Sequence, residues 1–292
     1  MQLLDGKQLA KDIQLELHVK TSEWEKSGLR VPHLVAVLVG DNKASASYVR
    51  NKMRSCERAG LKSTLIKHEA TITEAELLTV IDQLNNDDSV DGFIIQLPLP
   101  EHISEDKVTL AIDPKKDVDG FHPYNLGMMM LGTAIYVPAT PMGMVTMLER
   151  YGIETSGKQC LVLGRSNIVG TPMSILMSRK AKAGNCTVTL AHSRTQNLKE
   201  LMLQADIVVA AIGRANFVTA DMIKEGAVVL DVGINSVEDS SKKSGYRLVG
   251  DVDFEAVAPK CSFITPVPGG VGPMTVTALI MNTVKAYEAK LG

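Results

Sequence analysis

LVLGRSNIVGTP, residues 161–172, decides how this chain is read. An apolar, strand-like run enters Gly164, and a segment with helical spacing follows. The dinucleotide fingerprint G-x-G-x-x-G would put glycines at 164, 166 and 169, but Ser166 fills the second place and Gly170 arrives one residue late. Three readings compete: a cofactor loop, a nucleophile elbow and a tight turn. An elbow needs G-x-S-x-G, and Ile168 stands where its second glycine belongs, so the hydrolase reading falls. A phosphate loop one residue wider tolerates Ser166, whose hydroxyl can donate to a phosphate. A helix-start turn capped by serine satisfies the same residues. The loop alone leaves these two open.

The next strand separates them. Dinucleotide folds bind the adenosine ribose at the end of their second strand, where an NAD site usually carries Asp or Glu. Here TVTLAH (187–192) runs into Ser193, Arg194 and Thr195 with no acid. Ser193 and Arg194 suit a 2′-phosphate, as does Arg165, because a guanidinium grips phosphate with two parallel N–H groups. The pattern predicts NADP rather than NAD, held by Gly164, Arg165, Ser166, Ser193 and Arg194.

Working outward, apolar β-branched runs recur at 33–40, 63–69, 91–98, 158–164, 187–192, 206–213 and 227–235. Segments with helical spacing lie between them at 46–60, 73–85, 167–181 and 197–205. Alternating strand and helix predicts an α/β protein with parallel sheets and helices on both faces. Residues 113–142, rich in Gly and Pro, lack such a period and read as a linker between two α/β units, followed by a helix at 143–152. The segment PVPGGVGP (266–273) precedes a last helix at 275–290 that suits packing on the first domain. The expected division is therefore 1–142 with 274–292 as the first domain and 143–273 as the second, Rossmann-like one.

The composition narrows the function classes. A chain of 292 residues with 45% hydrophobic and 22% charged residues has the balance of a folded, soluble protein. Lys and Arg number 31 against 33 Asp and Glu, with no dense basic run, so nucleic acid is not an expected partner. Cys56, Cys160, Cys186 and Cys261 are scattered without C-x-x-C or histidine at ligand spacing, which predicts buried thiols, no metal site and a reducing compartment. No apolar run reaches the length of a signal or membrane segment, and a cytoplasmic protein is expected.

The first domain carries its own polar candidates. In ASASYVRNK, Ser45, Tyr48 and Lys52 fall at i, i+3 and i+7, one face of a helix. Such a pair can stack on an aromatic ring and move a proton; the plainer reading is a solvated lysine beside a half-buried tyrosine. Gln96 ends the apolar strand FIIQLPLP, where ligands of open α/β sheets lie. Asp119 in KKDVDGF either meets a ligand or caps the turn before Gly120.

Taken in order, YVRNK, GFIIQLPLP, KDVDGF, GRSNIVGTP, AHSRT, DVGIN and TPVPGGVGPMT resemble the bifunctional methylenetetrahydrofolate dehydrogenase/methenyltetrahydrofolate cyclohydrolase family over nearly the whole chain. The resemblance implies two α/β domains around a cleft, NADP on the second, a folate substrate and a homodimer. It places the family's catalytic lysine on Lys52, with Tyr48, Gln96 and Asp119 supporting it. It also puts Leu97, Pro98, Pro268, Gly269, Gly270 and Gly272 beside folate, and Ile234 on the cofactor. Two features depart from many members: Ala139 stands where they carry cysteine, and SRKAKAGNC (178–186) is longer.

Overall fold

The computed structural model describes residues 1–242 and 245–291. The chain forms two units, Met1–Ala10 with Thr140–Thr275, and Lys11–Ala139 with Val276–Gly292. It opens with a two-residue strand β1 (Gln2–Leu3) and the helix α1 (Gly6–Lys26).

The unit built on Lys11–Ala139 holds three parallel strands, β2 (His33–Val39), β3 (Lys62–His68) and β4 (Gly92–Ile95), in the order β3-β2-β4. Helices α2 (Lys43–Arg58) and α3 (Glu74–Asn86) make the crossovers. HLVAVLV is buried at every position because it is the central strand, paired on both edges and covered on both faces. Val35, Val37 and Val39 pack with Phe93 and with Leu77, Ile81 and Leu84 of α3. Thr73 starts α3 through a capping box: its side chain accepts from Glu76 N–H while Glu76 accepts from its backbone N–H. The ladder between β2 and β4 runs one step past the strand, Gln96 N–H donating to Val37 O at 2.9 Å. That bond fixes Gln96 at the carboxyl end of β4.

Beyond β4 come α4 (Glu105–Ala111), α5 (Pro123–Met130) and α6 (Ala139–Arg150). The stretch expected to be irregular thus contains α5, with Pro123 in its first turn and the His122 ring accepting from Tyr124 N–H. Its eight residues include Gly127 and three consecutive methionines, which carry no helical period.

The other unit has a six-stranded parallel sheet ordered β1-β11-β8-β7-β5-β6. In chain order its later elements are β5 (Gln159–Leu163), α7 (Gly170–Ser178), β6 (Thr187–Ala191), α8 (Leu198–Gln204), β7 (Ile207–Ala210) and β8 (Val228–Asp231). An antiparallel ribbon of β9 (Asn235–Glu238) and β10 (Tyr246–Val249) precedes the one-turn α9 (Phe254–Val257). The strand β11 (Phe263–Ile264) completes the sheet; the helix α10 (Val271–Leu291) starts in this unit and from Val276 onward belongs to the unit built on Lys11–Ala139.

Two differences from expectation follow. Residues 1–10 join this unit, not the first domain, because Gln2 and Leu3 pair in parallel with Phe263 and Ile264. The run 227–235 does not continue as one strand: the Asp231 carboxylate accepts from Gly233 N–H at 2.9 Å and turns the chain.

β5 lies between β6 and β7, so successive crossovers leave it in opposite directions. Its carboxyl end, the sequence LVLG, is the topological switch point of the sheet, where open α/β folds bind ligands.

Candidate active site

At that switch point the chain turns at Gly164, whose φ is +118°. A Cβ on Gly164 would lie 2.1 Å from Ala211 O, and one on Gly170 would lie 1.9 Å from Gly164 O. The delayed glycine therefore lets the start of α7 close onto the end of β5, the part played by the third glycine of the fingerprint. Ser166 Oγ accepts from Val169 N–H at 3.2 Å and Gly170 N–H at 3.4 Å, while its own O–H remains available to donate. Cap and phosphate contact are thus compatible roles for one side chain. α7 begins at Gly170, three residues after the start of the expected segment, because a turn intervenes.

A cavity of about 290 Å³ lies beside the loop, lined by Leu163, Gly164, Arg165, His192, Ser193, Leu198, Ala211, Ile212, Arg214 and Phe217. Among the described residues no carboxylate lines it, so its polar groups suit an anion and its apolar ones a flat base. Glycines that admit a close backbone approach, a helix start and this donor set together fit a dinucleotide phosphate. Ser193 is in the wall. Arg194 is exposed and outside it, its N–H donating to His192 Nδ1 at 3.2 Å. A second pocket of about 150 Å³ brings Ile234 together with Pro268, Gly269, Gly270 and Gly272.

Two buried carboxylates hold these loops, and neither was singled out in the sequence. Asp251 accepts from Ile212 N–H (2.7 Å), Gly213 N–H (3.0 Å), Arg214 N–H (2.8 Å) and Asn235 Nδ2 (2.9 Å). Asp231 accepts from Gly233, Asp251 and Val252 N–H.

In the other unit, α2 presents Tyr48 and Lys52 on one face. Lys52 is 5% exposed, and its Nζ lies 4.8 Å from the centre of the Tyr48 ring. The same Nζ donates to Gln96 Oε1 at 3.4 Å, and Gln96 Nε2 donates to Leu97 O at 2.8 Å. This excludes the solvated lysine of the plainer reading: a buried amine faces an amide oxygen, with no carboxylate bonded to it among the described residues. Burial, and then the charge of Asp119, push the Tyr48 phenol above its ordinary range, so it remains a neutral donor. One turn on, burial raises the Cys56 thiol to about 12. All four cysteines are free and buried.

Asp119 lines a small pocket with Leu97, Asp117 and Phe121. Pro98 follows Leu97 through a cis peptide bond and is exposed. Asp117, two residues before Asp119, sets the loop: it accepts from Phe121 N–H, His122 N–H and Asn125 Nδ2. Two acids in KKDVDGF were visible in the sequence, but nothing there tells which turns inward.

Asp117 and Asp231 are each raised to about 6, burial being the largest cause. The folded state therefore keeps a proton that the unfolded state releases near pH 4. Each group's stabilisation is full below that pH and is lost as pH rises through about 6, a change of about 3 kcal/mol apiece. Carboxyl ¹³C titration should show two aspartates with midpoints near 6; every aspartate titrating below 4.5 would contradict the burial argument.

Comparison with known proteins converges on one class. Residues 4–119 match the catalytic domain, and residues 138–291 the NAD(P)-binding domain, of tetrahydrofolate dehydrogenase/cyclohydrolase. A "Bifunctional protein FolD" from Cytophaga hutchinsonii is 60% identical over 290 residues, covering 99% of this chain and 100% of that one. The bifunctional methylenetetrahydrofolate dehydrogenase/cyclohydrolase of Campylobacter jejuni is 45% identical with a TM-score of 0.92, covering 99% of both chains. The Trypanosoma brucei enzyme, solved with NADP and an inhibitor, is 36% identical with a TM-score of 0.92, covering 98% and 97%. The chain belongs to the tetrahydrofolate dehydrogenase/cyclohydrolase family.

Proposed function

We propose that this chain oxidises 5,10-methylenetetrahydrofolate with NADP and hydrolyses the resulting 5,10-methenyltetrahydrofolate to 10-formyltetrahydrofolate. The observation that carries the second activity is the buried Lys52 amine between the Tyr48 ring and Gln96 Oε1. NADP supplies a hydride acceptor at nicotinamide C4. Removing hydride from the one-carbon bridge leaves a cation shared by two folate nitrogens, whose lone pairs provide the electron push without a protein base. Alignment is then the protein's main contribution.

Hydrolysis needs more from the side chains. Water adds to the cationic carbon and gives up one proton; as the ring opens, the new carbinol O–H gives up its own while a folate nitrogen gains one, so one proton is released overall. An amine that gives and takes a proton serves both steps. Lys52 is the acid/base group; Gln96 fixes its Nζ, and Tyr48 and Asp119 bind the pterin beside it. Leu97 and Pro98 border the folate, and Pro268, Gly269, Gly270 and Gly272 are the loop that the family resemblance assigns to the same substrate. Gly164, Arg165 and Ser166 receive the cofactor's phosphates, Ser193 and Arg194 its adenosine end, and Ile234 contacts it by backbone.

A homodimer is the assembly the family resemblance supports, and the sequence, without an apolar run of signal or membrane length, supports a cytoplasmic setting. No helix among the described residues is long and apolar enough to cross a membrane. Turnover of methylenetetrahydrofolate with NADP should yield NADPH and 10-formyltetrahydrofolate in step. Methenyltetrahydrofolate accumulating at the rate of its spontaneous decay would reduce the protein to a dehydrogenase; no oxidation with either nucleotide would overturn the reading.

A further inference from the structure

The cofactor cavity has a second guanidinium in its wall, and it comes from the strand opposite the one expected to supply it. Arg214 follows β7 and lines the cavity with Arg165, His192 and Ser193. Three features show a side chain held for a purpose. Its backbone is pinned, since Asp251 accepts from the N–H groups of Ile212, Gly213 and Arg214 in succession. Its guanidinium lies 4.6 Å from the centre of the Phe217 ring, and Phe217 lines the same cavity. No carboxylate is bonded to it among the described residues, so its charge is unspent.

We propose that Arg214 is a specificity-determining residue that, opposite Arg165, grips the 2′-phosphate of the cofactor. This rests on the NADP reading above. The guanidinium carbon lies over the Phe217 ring, and no carboxylate among the described residues takes its N–H donors, which leaves them for a phosphate that a guanidinium can hold with two parallel bonds. The apolar lining from Leu198, Ile212 and Phe217 gives the adenine a place apart from those donors. The backbone that carries Arg214 needs little ordering on binding, because Asp251 already holds it, although the side chain itself is exposed.

The test is direct titration of NADP and NAD into the full-length wild type, Arg214→Ala and Arg214→Lys, read as dissociation constants by calorimetry. One charge-assisted contact predicts about 10- to 100-fold weaker NADP binding in Arg214→Ala. NAD binding should stay within about threefold, which also reports an intact pocket, and Arg214→Lys should recover part of the loss. Equal losses for both nucleotides would make Arg214 a platform for the base and overturn the proposal, as would unchanged NADP affinity in Arg214→Ala when the wild type prefers NADP. A wild type binding both nucleotides equally would instead overturn the NADP reading itself, and this assignment with it.

Discussion

Replacing Lys52 with methionine should cut methenyltetrahydrofolate hydrolysis by about 10²- to 10⁴-fold, the range for losing a general acid/base, while hydride transfer persists at a comparable rate. Methionine suits the test because it is unbranched and apolar, so it fills the channel of a side chain that is only 5% exposed. It removes the group that, among the described residues, reaches Gln96 Oε1 at 3.4 Å and sits against the Tyr48 ring. Oxidation asks for no proton from the protein, whereas hydrolysis asks for a proton to leave the attacking water, another to leave the carbinol O–H and one to arrive at nitrogen. The two activities should therefore separate. NADPH formation and methenyl decay measured on the same preparation make the first a folding control for the second. Parallel loss of both would recast Lys52 as a binding residue, and unchanged hydrolysis would remove it from the chemistry.

How much of this was readable in advance depended on whether a feature repeats or merely touches. HLVAVLV, KQCLVLG and DIVVAAIG announce buried parallel strands because continuous apolar runs need neighbours on both edges and cover on both faces. Two-residue strands such as Gln2–Leu3 and Phe263–Ile264 carry no period, and their pairing, which moves residues 1–10 to the other unit, exists only in three dimensions. Lys52 was legible because Tyr48 shares its helix face at a spacing of four. Its contact with Gln96 spans 44 residues of sequence, carries no local period, and was expected only through the family resemblance. Arg194 stood beside Ser193 in the sequence and drew the phosphate assignment, yet Arg214 is the guanidinium that β7 brings to the cavity. The acids Asp117, Asp231 and Asp251 escaped notice for the same reason: each works by accepting backbone N–H groups that only the folded loops bring to it.

Among those acids the largest stability effect belongs to Asp251. It is fully buried, and four donors converge on its carboxylate: the N–H groups of Ile212, Gly213 and Arg214, and Asn235 Nδ2. Asp251→Ala orphans all four, and each buried donor left unsatisfied costs about 1–3 kcal/mol. Water entering the vacated space recovers part of that sum, so the net expectation is about 3–5 kcal/mol, the range for breaking a buried charged network. The thermal midpoint should fall by roughly 6–20 °C. NADP affinity should fall too, because the loop that carries Arg214 loses three of its fastenings. Asp251→Asn keeps one acceptor oxygen but turns an NH₂ group toward N–H donors, so it should fall between wild type and alanine. A loss below about 1 kcal/mol in the alanine variant would show that the loop stands without its carboxylate. A second consequence separates charge from mere scaffolding. Burial is the largest cause that raises Asp231 and the charge of Asp251 a smaller one, so in Asp251→Asn the Asp231 midpoint should fall from about 6 while staying above the ordinary carboxylate range. An unchanged midpoint would mean that burial alone holds the Asp231 proton.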